Sequence, residues 1–121
     1  MWQPEYHDLD MAERGFPGVV VTGVVNLPAP IVRETLGAMR DVARCANAAE
    51  LSAALPGYYR LLAMWFASVK DSETVYPLGT PEAVAAFEEE QDWAVLGMAF
   101  NDLLVERNRR RSEAKNVSSG S

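Results

Sequence analysis

Few residues in this 121-residue sequence have types and spacings that suit chemistry. Glu5, His7, Asp8 and Asp10 put the one histidine among three carboxylates. A hard-cation loop needs more oxygen ligands at defined spacing and a turn-forming glycine, so this group is not read as a metal site. Cys45 is the one cysteine, with no histidine nearby in sequence to activate it. It reads as a small buried hydrophobe near a helix end rather than a reactive thiol. Glu88, Glu89, Glu90 and Asp92 supply carboxylates, but nothing sets two of them across a cleft for acid–base work. Gly15, Gly18 and Gly23 are spaced wrongly for a phosphate-binding loop. No nucleophile, base and orienting group assemble, so the chain is expected to be neither an enzyme nor a cofactor protein.

The remaining candidate is basic. Arg107, Arg109, Arg110, Arg111 and Lys115 stand against Glu106 and Glu113, so that end carries +3 within a chain of net charge −6, and the remainder carries −9. The run is short and lacks interleaved aromatic residues, and the chain as a whole is acidic, which argues against a nucleic-acid partner. The asymmetry suits contact between copies or with a charged protein. In the plainer reading the cations are a solvated helix end facing the negative pole of the helix dipole.

The elements that would position these residues read as follows. Residues 1–18 form an irregular arm, interrupted by Pro4, Gly15, Pro17 and Gly18. Residues 19–25 are the one clear strand, β-branched and nearly continuously apolar. Residues 74–76 are the best internal partner for it. Asn26-Leu27-Pro28-Ala29-Pro30 ends the strand and starts a helix with Ile31, Leu36, Met39, Val42 and Ala43 toward the core. Asn47 and Glu50 resemble a capping box for a short helix ending near Pro56-Gly57.

A further helix is expected over about 57–70, carrying Tyr58, Leu61, Leu62, Trp65, Phe66 and Val69 at helical spacing. Thr80-Pro81-Glu82 begins another in the order cap, proline, acid. A break is expected near Glu88–Asp92, then a last helix capped by Asp92, with Trp93, Leu96, Gly97, Phe100, Leu103 and Leu104 as its stripe. A single helix over 81–111 is the rival reading. Residues 112–121 read as a flexible tail. The expected fold is therefore mainly α: a single small helical domain over 19–111 with a minor N-terminal β element.

Hydrophobic residues make up 49% of the chain, enough for the core of one domain. A lone cysteine excludes an internal disulfide and suits a reducing compartment. No apolar run approaches the ~18 residues of a membrane span, so no membrane association is expected. The start, Met1-Trp2-Gln3-Pro4-Glu5, lacks the cationic and apolar regions of a signal peptide.

The segment from about 58 to 108 carries a resemblance. An apolar helix leads into Ser68-Val69-Lys70-Asp71-Ser72-Glu73-Thr74-Val75-Tyr76-Pro77-Leu78, then the Thr80-capped helix with Val84 and Phe87, then an amphipathic helix reaching Asn108. This order resembles the tail assembly chaperones of long-tailed bacteriophages, whose turn has a valine–x–aspartate start and a proline–leucine end. The chain departs from that pattern at Glu73-Thr74-Val75, where glycine is common, and at Gly79, where an aromatic residue is common.

The resemblance implies a non-enzymatic protein of the host cytoplasm that coats the tape-measure protein, recruits tail tube subunits and is absent from the finished virion. It implies self-association on a filament-like client. Tyr59, Met64, Trp65, Met98 and Phe100 would then offer apolar helix surface to partner helices, and Arg107, Arg109, Arg110 and Arg111 the charged contacts. A small acidic inhibitor or adaptor binding a host protein, or a structural tail or connector subunit, are the alternatives.

Overall fold

The β-branched run at Val19–Val24 is one of four strands rather than a solitary one. The structure is a computed structural model that describes residues 2–91 and 94–120. Strand β1 is Tyr6–Asp10, β2 is Val19–Val24, β3 is Phe66–Asp71 and β4 is Thr74–Pro77. They form one antiparallel sheet in the order β1-β2-β3-β4. Helix α1 (Ala29–Ala43) and helix α2 (Ala48–Trp65) are inserted between β2 and β3, and α3 (Pro81–Glu90) and α4 (Ala94–Gly120) follow β4.

The expectation of a mainly α domain with a minor β element is thereby corrected: this is a mixed α/β domain, with four α-helices and a four-stranded antiparallel sheet among the described residues. Two strands account for the difference. The arm 1–18 is not irregular throughout, since Tyr6–Asp10 pairs along its whole length with Val20–Val24. Its only apolar residues, Tyr6 and Leu9, fall on opposite faces, so no alternation marked it. It is an edge strand held by a strong neighbour rather than by its own propensity.

The second is β3. Phe66 and Val69 fit a helical stripe in sequence, yet the chain leaves the helix at Phe66, whose φ of −114° and ψ of 131° are extended. From there it pairs with β2 on one side and β4 on the other. Residues 74–76 therefore pair with β3, not with the strand at 19–24.

Register decides which side chains share a face. Leu9, Val21, Val69 and Tyr76 lie in one row across the sheet and point to the core. Asp8, Thr22, Ser68 and Pro77 form the opposite row. There the Thr22 hydroxyl donates to Asp8 Oδ1 at 2.6 Å. On that outer face Tyr6 and Val75 are more than half exposed (58% and 57%). The helices cover the inner face, giving two layers with one side of the sheet open.

The register slips between Thr22 and Gly23, and at Gly23 the packing is closest. A Cβ there would run into Leu103 of α4 and sit 3.0 Å from the Trp65 carbonyl oxygen. The missing side chain is what lets the last helix cross the sheet.

The core joins β2, β3 and the three later helices through Val21, Leu62, Trp65, Phe66, Val84, Leu96, Phe100 and Leu103, with Leu78 from the turn after β4. Trp65 and Phe100 meet edge to face, with centroids 4.9 Å apart. The indole Nε1 donates to Thr35 Oγ1 at 2.7 Å, and that hydroxyl donates to the Ile31 carbonyl at 2.7 Å. Thr35 is fully buried, while Leu36, expected to face the core, is 41% exposed. The helix is turned so that a polar group meets the tryptophan.

Helix ends follow local chemistry. Asn47 accepts from the Glu50 N–H while Glu50 accepts from the Ala46 N–H, and Thr80 accepts from the Ala83 N–H. The short helix expected to stop at Pro56 continues through it to Trp65, because the buried Tyr58, Leu61, Leu62 and Trp65 hold the following turns. The break after α3 is present: Gln91 is extended, so a single helix over 81–111 is not formed. The expected Asp92 cap and the Trp93 position lie outside the described residues. Helix α4 runs to Gly120, through the stretch read as a flexible tail.

Candidate partner-binding surface

The residues expected to meet partners divide by burial. Trp65 and Phe100 are fully buried and belong to the core. Their helical spacing is that of an inward stripe, which a contact surface shares. Met64 (37%) and Met98 (38%) are exposed, on α2 and α4 respectively. Tyr59 is partly buried and lines a groove of about 290 Å³ with Val42, Leu51, Leu55, Glu88 and Glu89. Neither methionine lines that groove, so the expected apolar patch is not gathered into one place.

Glu88 gives the groove its polarity. Sequence showed it only as part of an acidic run, yet its Oε1 is buried without a hydrogen-bond partner. Burial raises its pKa, and the Tyr59 hydroxyl beside it opposes that in part. The same carboxylate, after burial itself, pushes the Tyr59 phenol up to about 12. The Tyr58 ring lies 6.2 Å from that of Tyr59. Tyr58 is likewise raised, first by burial and then by Glu88.

The four arginines of α4 also divide. Arg109 bonds to Glu106 and Glu113, and Arg110 bonds to Glu106 and pairs with Glu5 at 3.5 Å. Arg110 Nη2 also lies 3.3 Å from His7 Nδ1. Those two cations are therefore neutralised within the chain, and Arg109 and Arg110 pull the Glu106 carboxyl down to about 2. Arg107 and Arg111 have no carboxylate partner among the described residues. They line a second cleft, of about 360 Å³, with Glu5, Val25, Asn26, Leu27, Pro28, Arg110 and Ala114.

The loop opposite them is firmly set. Asn26 Oδ1 accepts from the Glu5 N–H at 2.8 Å, its Nδ2 donates to the Gln3 carbonyl, and its own carbonyl accepts from Trp2 Nε1. The N-terminal residues are thus fastened across the mouth of the β2–α1 loop. The sequence signal for this was an asparagine at a strand end ahead of Leu-Pro, a residue that commonly bonds to nearby backbone.

Alternation along β1 sends His7 to the opposite face from Asp8 and Asp10. Among the described residues no group of three or more His, Cys, Asp or Glu is arranged to hold a metal ion. No helix of the described residues is long and apolar enough to cross a membrane. Comparison with known protein families, with curated proteins and with solved structures gives no match for this chain.

Proposed function

We propose that this protein is a tail assembly chaperone of a long-tailed bacteriophage. It acts in the host cytoplasm, where it binds the tape-measure protein, associates with copies of itself and recruits tail tube subunits. The observation that carries the reading is the segment Ser68–Phe87, whose sequence resembles that family. Here it forms the β3–β4 hairpin followed by the Thr80-capped helix α3. Two surface features support a protein-binding role: the groove beside Tyr59 and Glu88, and the cleft beside Arg107 and Arg111. Exposed Met64 and Met98 add adaptable apolar contact area.

The test is co-expression with the tape-measure protein encoded by the same genome. The expected result is a soluble complex that carries several copies of this chain. A tape-measure protein that stays insoluble, with no complex formed, overturns the proposal. Recovery of this chain from purified virions overturns it in favour of a structural tail subunit.

A further inference from the structure

The cleft between the β2–α1 loop and the C-terminal half of α4 holds two cations, Arg107 and Arg111, that form no ion pair among the described residues. Arg107 is 8% exposed, and its Nε and Nη2 both donate to the Leu27 carbonyl oxygen, at 3.2 and 3.1 Å. That fork fixes the plane of its guanidinium. Arg111 follows one helical turn later on the same face. Burial and then the charge of Arg111 lower the proton affinity of Arg107, although a guanidinium keeps its charge at neutral pH. Two like charges at this spacing repel each other, whereas Arg109 and Arg110 beside them are tied to Glu106, Glu113 and Glu5.

Val25, Leu27, Pro28 and Ala114 supply an apolar part of the wall, beside Asn26 and the Glu5–Arg110 pair. The volume of about 360 Å³ suits a pair of side chains or a small ligand, at the lower end of ligand-sized sites. Glu5 also lines the cleft, where it pairs with Arg110, and disfavours a ligand that carries more than one negative charge. The net charge of −6 disfavours a polyanion such as a nucleic-acid backbone.

We propose that this cleft binds one carboxylate carried beside an apolar side chain, as a Glu next to a Leu in a partner segment presents it. The carboxylate bridges Arg107 and Arg111, and the apolar neighbour packs on Val25, Leu27 and Pro28. An arginine held by a backbone carbonyl is pre-organised for such a contact, which limits the entropy lost on binding.

The test is calorimetric titration of the full chain with a blocked peptide of sequence Ala-Leu-Glu-Leu-Ala. Its controls are the same peptide with Gln for Glu, and inorganic phosphate. Saturable binding is expected, weakened at least fivefold by the Gln peptide, by Arg111→Gln and by raised salt. Arg111 is exposed, so Arg111→Gln keeps the fold, and an unchanged melting curve verifies that. Absence of binding, equal binding of the Gln peptide, or wild-type affinity in Arg111→Gln overturns the proposal. Phosphate that binds as tightly as the Glu peptide overturns it too, in favour of a general anion site. The inference stands apart from the identity of the client, so its failure leaves the co-expression result intact.

Discussion

Single side chains here carry stability of opposite pH sense. Glu88 has a pKa raised by burial, so the folded state holds its proton more tightly than the unfolded chain does. Its contribution is favourable at low pH and is lost as pH rises through the raised value. Glu88→Gln is therefore expected to raise the melting temperature at pH 8 and leave it unchanged at pH 4. Equal shifts at both pH values contradict this. Glu106 runs the other way. Bonds from Arg109 and Arg110 pull it down to about 2, so its contribution is present above the ordinary carboxylate range and fades as pH falls toward 2. Thr35 acts independently of pH, through hydrogen bonds at a core position that sequence placed one residue off. Thr35→Val leaves the Trp65 N–H buried without an acceptor and is expected to cost about 1–3 kcal/mol by denaturant unfolding. A loss within error of zero means the indole finds another partner.

At the scale of elements, helix α2 contains its own weak point. Pro56 and Gly57 are exposed in its interior, where a proline removes a backbone donor and a glycine adds unfolded-state freedom. A Cβ on Gly57 meets nothing within 4 Å. The double change Pro56→Ala, Gly57→Ala is expected to stabilise the domain by roughly 1–3 kcal/mol. A destabilised variant in urea would show that Pro56 and Gly57 are required by the packing of Tyr58 and Leu61.

Much of this level was legible in sequence: the strand at 19–24, the Pro28–Pro30 helix start, the caps at Asn47 and Thr80, and the break after Glu90. The helix-to-strand change at Phe66 was not, because Phe66 and Val69 satisfy a helical stripe as well as they satisfy the sheet. Short apolar runs leave that ambiguity, and only pairing with β2 resolves it. The candidate site was legible in part. The arginines stand out by type, but that Arg107 turns to the Leu27 carbonyl, a residue far away in the chain, depends on how α4 packs against the β2–α1 loop.

Across the whole molecule, the N-terminal segment is structural. Strand β1 covers the outer edge of β2, and Met11 behind it is fully buried. Deleting residues 1–10 uncovers Val19–Val24, a β-branched edge with free backbone donors and acceptors. The truncated chain is expected to aggregate or form strand-paired dimers in size-exclusion chromatography, while the intact chain does not give those species. A soluble truncated chain of unchanged elution volume sinks this prediction. The intact edges are better guarded: Asp8 and Asp10 lie on β1, and Pro77 closes β4.

The insertion of α1 and α2 between the two central strands also sets how the chain folds. Strands β1 and β2 are joined by a short connection, as are β3 and β4, so each hairpin forms from local contacts. Joining the halves requires Gly23 and Phe66 to meet across residues 24–65, a loop-closure penalty of about 3 kcal/mol. That central seam is the slow contact of an otherwise local topology. Until it closes, the edges of β2 and β3 are both open, and the chain is most vulnerable to pairing with the wrong neighbour while α1 and α2 are still finding each other.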